Sequence, residues 1–253
     1  MEVHYLPPLR KTSRTIRENI FEFLFIFLAV LLGLYADHVR DTYAEKEKTK
    51  ECAQLLYDDL KTDISNIQQT YTDKDWIEEK YDSAENILAT KDLSEYNEFI
   101  YYVERYLINP PIFSSQDITY LQMQSSDKYR YINNIRLYKK IAQYYFLYYQ
   151  YKAFENTYTS PDNSDISVIE SRLFNPRDLT NLDNPKTSDF QSQVIRPVLK
   201  LKPIRRDINN LKLFYIKVNN AKKHTYAMKL LLEKQKVYGL SLMKDLKKEY
   251  NLK

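Results

Sequence analysis

The chain has 253 residues, a formal net charge of +4, and only 2 glycines, 1 cysteine and 3 histidines against 24 tyrosines; average usage of roughly 7% would supply about 18 glycines. So few glycines exclude phosphate-cradling loops, dinucleotide fingerprints and many-turned sheet proteins, which need φ > 0 or close backbone approach repeatedly. One cysteine excludes a disulfide framework and a cysteine-rich zinc site, and what remains is a mostly helical chain with one membrane segment.

Residues 1–19 form a basic tail, and an apolar run follows from Ile20 to Ala36, interrupted only by Glu22. The expected membrane anchor comprises Phe23, Leu24, Phe25, Ile26, Phe27, Leu28, Ala29, Val30, Leu31, Leu32, Gly33 and Leu34. The run is slightly short of the ~20 residues that cross a hydrocarbon core, and Asn19 and the Glu22 stem extend it by snorkelling. A buried core helix is one alternative, but a helix apolar on almost all sides suits a bilayer as well. A cleaved signal peptide is another; the run is long and bulky for that, and no small-x-small site follows it cleanly. Arg10, Lys11, Arg14 and Arg17 precede the run, whereas Arg40 stands alone until Lys46. The positive-inside rule then keeps the N-terminus cytoplasmic and sends residues 37–253 across the membrane. Beyond Glu22 the chain carries 34 basic and 31 acidic residues. That near-balance reads as a mixed solvated surface, not a nucleic-acid-binding face.

Residues 37–51 are charged on all sides and contain no helix breaker, so the apolar helix is expected to continue as a stalk. The stripe Cys52, Leu56, Leu60, Ile64, Ile67, Tyr71 then starts a helical domain over 52–253. Further helices are expected at about 74–90 and 93–108, the second stopped by Asn109-Pro110-Pro111. A short helix begins near Ser115 and ends near Ser125. Asn133 or Asn134 caps the next, which carries Leu137, Ile141, Tyr144, Tyr145, Tyr148 and Tyr149 and runs to about Thr157. Three prolines make 160–190 a loop-rich insertion, with room for a short helix at 165–173. Two last helices fit 190–218 and 221–250. No strand is expected. The fold class is all-α: one transmembrane helix, a stalk, and an antiparallel bundle of about five to seven helices.

Tyrosines at helical spacing read first as core and interface packing, and second as a partner groove or carbohydrate-stacking surface. Glu22 has two readings. One is an interfacial carboxylate near Arg17 or Glu18; the other is a charge that pairs with a second membrane subunit or carries a proton. Ala29 and Gly33 form a small-x3-small pair that permits close helix approach, and hence a homodimer; they are equally ordinary small residues of a span. Asp58, Asp59 and Asp63 make a candidate cation site, set against a solvated acidic face, because a straight helix supplies too few of the six to eight oxygens calcium wants. His4, His38 and His224 lie in separate segments, and Cys52 falls on the apolar stripe. Hence no catalytic, cofactor-binding or metal-binding residue is assigned.

Two stretches resemble a family of uncharacterised single-span membrane proteins of Gram-negative bacteria, catalogued as a domain of unknown function. The first runs from Glu22 through the apolar run to Asp37, then the charged stalk and Leu55-Leu56-Tyr57-Asp58-Asp59-Leu60-Lys61-Thr62-Asp63-Ile64. The second runs Thr119-Tyr120, Met123 to Ser126, Ile132-Asn133-Asn134, Leu137 and Tyr144-Tyr145. The chain departs at Asp127, where the family usually has glycine, and at His38-Val39, where it tends to have Asn-Trp. The resemblance covers roughly a third of the chain and implies an inner-membrane protein with a helical periplasmic domain. It brings no known activity.

The expected role is therefore non-enzymatic: a membrane-anchored interaction or scaffold protein. Its expected partners are the lipid bilayer and a protein of the membrane or periplasm. The alternatives are an accessory subunit of an ion-coupled transporter or motor using Glu22, and a periplasmic enzyme with a tyrosine-rich cleft.

Overall fold

The computed structural model describes residues 16–90, 103, 110–125, 132, 134–173 and 208–252. Among them every regular element is helical: α1 (Ile16–Thr90), α2 (Ile118–Ser125), α3 (Ile135–Leu173) and α4 (Ile208–Tyr250). The chain divides into two compact units, Met1–Glu51 and Cys52–Lys253.

In the first unit α1 is one helix whose residues 16–38 are all exposed. Its large apolar side chains from Ile20 to Tyr35 lie between 44% and 71% exposed, on every side of the helix. The polar part is held by short-range contacts. Arg40 pairs with Asp37 at 3.2 Å, and the hydroxyls of Thr42 and Thr49 donate to the carbonyls of His38 and Glu45. Such bonds satisfy side chains within the helix without needing a neighbour.

In the second unit the sequence dictates a long, regular seam. Along α1 the central line of buried positions is Ala53, Leu56, Leu60, Asp63, Ile67, Thr70, Lys74, Ile77, Tyr81 and Ala84, with Cys52 and Asp73 buried beside it. These alternate in steps of three and four throughout, so one face stays buried for the whole segment. The expected break between a stripe ending at Tyr71 and a helix starting at residue 74 is absent. No glycine or proline lies between, and the register passes through Asp73 and Lys74 unbroken.

α3 packs against α4. One end of the core joins Leu56 and Leu60 of α1, Tyr120 and Met123 of α2, Tyr144 and Tyr145 of α3, and Leu242 and Leu246 of α4. A second cluster joins Ile67, Phe113, Tyr148, Tyr151, Met228 and Leu232. The Tyr120 and Tyr145 rings stack with centroids 4.1 Å apart, and Tyr144 meets Tyr145 edge-on at 5.2 Å. Most of the tyrosine stripe is thus core. Tyr149 lies at the rim, where its hydroxyl donates to Asp117 at 3.2 Å.

Helix ends follow local chemistry. The Asn134 side chain accepts from the amides of Arg136 and Leu137 at 3.1 and 3.2 Å, so Asn134 caps α3. Asn251 closes α4 in the left-handed region at φ 49°, and the Leu252 amide returns to the Lys247 carbonyl at 3.2 Å.

Three expected boundaries are corrected. α2 starts at Ile118 instead of Ser115, because Ser115 and the Gln116 amide are engaged by Asp63. α3 does not stop near Thr157; it continues to Leu173, through Pro161 and the first part of the expected loop. The supposed pause between 218 and 221 is continuous helix in α4. Four helices lie among the described residues, and segments expected as separate helices are continuous in α1 and α4. The expected helix at 93–108, apart from the buried Val103, lies outside the described residues. So do the remainder of the loop from 174, residues 190–207, and the tail with His4, Arg10, Lys11 and Arg14.

Candidate functional site

The most distinctive chemical surface is the apolar stretch of α1. It is the one described helix long and apolar enough to cross a membrane, and none of its apolar window is buried. Glu22, Ala29 and Gly33 all lie on this exposed stretch. Nothing approaches within 4 Å of the place a Gly33 side chain would occupy, so the Ala29–Gly33 face is open.

In the second unit the acidic trio separates. Asp58 is exposed and Asp59 half-buried, whereas Asp63 is fully buried. The solvated acidic face therefore fails for Asp63, which points to the core because the three–four register falls on it. It accepts from the Ser115 hydroxyl, from the Gln116 amide at 2.7 Å and from the Tyr144 hydroxyl at 2.9 Å. Burial pushes the Asp63 carboxyl above its ordinary range, although these three donors oppose the shift. Tyr144 is pushed up in turn, by burial first and then by Asp63. Gln235 on α4 is also fully buried; its amide acts on the Tyr144 hydroxyl and opposes its shift, without reaching good hydrogen-bond geometry.

A second polar layer lies further along the bundle. Lys74 of α1 is 1% exposed and Glu155 of α3 is 4% exposed. The Tyr151 hydroxyl donates to Glu155 at 3.1 Å and accepts from the Phe113 amide at 3.2 Å. Burial lowers Lys74 to about 8, opposed by the charge of Glu155. Glu155 is raised by burial, against Lys74 and Tyr151. Each group holds the other in a medium where neither would ionise readily alone.

The α1–α4 edge carries a ladder of charge. Lys222 pairs with Asp82 and, at 3.0 Å, with Glu85. Lys229 pairs with Asp75 and, at 2.7 Å, with Glu78. Lys236 donates to Gln68 at 2.5 Å. The lysines repeat every seven residues in one direction and their acceptors every seven in the other, as two antiparallel helices require. His224 stacks on Phe154 with centroids 5.2 Å apart, and Cys52 is a buried free thiol.

Among the described residues no group of three or more His, Cys, Asp and Glu side chains is placed to hold a metal ion. The polar layers sit inside the bundle. Sequence reasoning gives Lys74, Glu155 and Gln235 no role and reads Ser115 only as a helix start. The usable signal was that Asp63 and Lys74 occupy apolar positions of a strict register. Comparison with protein-family models, curated proteins and solved structures finds no match.

Proposed function

We infer that the chain is a single-pass protein of a bacterial inner membrane, with its N-terminus cytoplasmic and its helical domain periplasmic. Its role is non-enzymatic: it anchors an interaction or scaffold domain to the bilayer. The observation that carries this reading is that Phe23 to Leu34 are exposed on all sides of α1. In water such a surface is strongly unfavourable, at roughly 25 cal/mol per Å² of apolar area, and a bilayer removes that cost. A core helix would instead bury part of this run, and none of it is buried.

Orientation rests on Arg10, Lys11, Arg14 and Arg17 before the span. The likeness to the single-span family of Gram-negative bacteria supports the same placement. The seven-residue repeat of buried positions and of the lysine ladder supports coiled-coil-like packing of the domain, the architecture of a scaffold. Gly33, open on its face, leaves room for a second span of the same chain.

Reporter fusions after Gln150 test the reading. A periplasmic reporter is active there and a cytoplasmic one silent; the reverse result overturns the orientation. A second reading makes the protein an accessory subunit of an ion-coupled complex, favoured by the one carboxylate, Glu22, within the exposed apolar run. Glu22→Gln separates the two. Loss of the partner complex or its coupling favours the ion-coupled role, and unchanged behaviour removes it.

A further inference from the structure

α4 carries ten lysines against three carboxylates, and its two sides use them differently. Lys222, Lys229 and Lys236 are taken by acceptors on α1. Away from the buried side of α4, marked by Met228, Leu232 and Leu242, a second apolar line runs along the helix. Tyr226, Leu230, Val237 and Leu240 are 55%, 57%, 59% and 48% exposed. Their separations keep them within about 40° of one line at 100° per residue, over a length of about 21 Å. Glu233 interrupts the line, exposed Lys223 and Lys234 flank one side of it, and exposed Lys244 and Lys248 close its C-terminal end. Single exposed apolar side chains need no explanation, but an aligned set with a charged rim marks an interaction surface.

We propose that this strip is the docking site for an acidic amphipathic helix of a partner protein. The proposal rests on the reading of the chain as an interaction protein and specifies its partner. Charge selects the occupant. A second copy would set the lysine rim against another lysine rim, which like-charge repulsion opposes. The other side of α4 already receives a helix of the required kind. Residues 52–90 of α1 carry nine carboxylates against three lysines, and their apolar stripe is flanked by the carboxylates that meet Lys222 and Lys229. The partner repeats that chemistry: leucine-like residues in steps of three and four, acidic flanks, and one basic residue to face Glu233.

The test places the full chain in vesicles of neutral phosphatidylcholine and titrates a designed helical peptide. The peptide carries leucine at the apolar heptad positions and glutamate beside them; a lysine-flanked version is the control. The glutamate peptide binds saturably and at least about tenfold tighter than the control, and salt weakens it. Leu230→Ser with Val237→Ser lowers affinity about tenfold or more, and so does Lys234→Glu with Lys244→Glu. Both double variants keep the wild-type Tm, because all four side chains are exposed. Equal affinity for the two peptides, or binding untouched by either double variant, overturns the proposal. So does strip-dependent self-association in sedimentation, which would make a second copy the occupant. Strip-dependent adsorption to vesicles of anionic lipid in place of the peptide overturns it as well. Carbonate washing of the same vesicles reads the anchor separately. If the chain stays in the bilayer and the peptide fails to bind, the docking site alone is wrong; if the chain washes off, the anchor reading is wrong.

Discussion

Asp63 ties two pieces of chain to one carboxylate through three donors: Ser115 and Gln116 before α2, and Tyr144 of α3. Asp63→Ala leaves the buried Ser115 and Tyr144 hydroxyls without this acceptor, and each such group costs about 1–3 kcal/mol. The expected loss is therefore about 2 kcal/mol or more in denaturant unfolding, while Asp63→Asn, which keeps one acceptor oxygen, loses clearly less. Equal losses for the two would show that the side chain matters only for its volume. Lys74 gives a pH signature of the opposite sign to a surface lysine. Its folded value, about 8, lies below the ordinary 10.5, so the folded state releases its proton first. Between those values the unfolded chain binds more protons, and stability must rise with pH. The cost of holding the charge is fully present below pH 8 and amounts to something on the order of 3 kcal/mol. Lys222 and Lys229 are raised, so their contribution persists through this window and falls only above it. Buried tyrosines such as Tyr81, Tyr144, Tyr145 and Tyr151 are raised by burial and lose stability as pH nears 10, so the comparison is made between pH 8 and pH 9 and against a variant. The unfolding free energy of the wild type should change more favourably over that interval than that of Lys74→Met, and identical changes in the two would contradict the assignment.

At the scale of elements, Gly239 shows why α4 carries a residue of poor helix propensity in its interior. A Cβ there would lie 2.9 Å from Cε2 of Tyr144 and 3.0 Å from Cδ1 of Ile64. Tyr144 is buried and held by Asp63, so its ring cannot retreat freely. Gly239→Ala gains about 1 kcal/mol of propensity and loses more to the displaced ring, so thermal unfolding should shift to lower temperature. An upward shift would mean that the tyrosine yields at little cost. The elements were legible where periodicity is strong: the stripe from Cys52 to Tyr71, the Asn134 cap and the tyrosine helix all follow from spacing and cap chemistry. Boundaries were not legible where a rule of thumb met tertiary packing. A loop containing Pro161 and a pause between 218 and 221 are expected, yet helix continues through both. A proline forfeits one amide hydrogen bond, and a long helix packed on its neighbours can absorb that loss.

At the scale of the whole molecule, two surfaces of different character belong to two units. Residues 20–36 expose apolar side chains on every side, a pattern visible in composition alone. The strip Tyr226–Leu240 and the buried polar layers were not visible in that way, because they depend on which face of α4 turns inward. Asp63 and Lys74 look like surface charges until the register of their neighbours is counted. Whether α1 holds the chain in a bilayer is decided by alkaline carbonate extraction of membranes from cells expressing the full chain. The wild type remains in the membrane pellet, while Leu28→Arg with Leu31→Arg, which puts two charges at mid-span, shifts it to the supernatant. Release of the wild type into the supernatant would contradict the anchor reading.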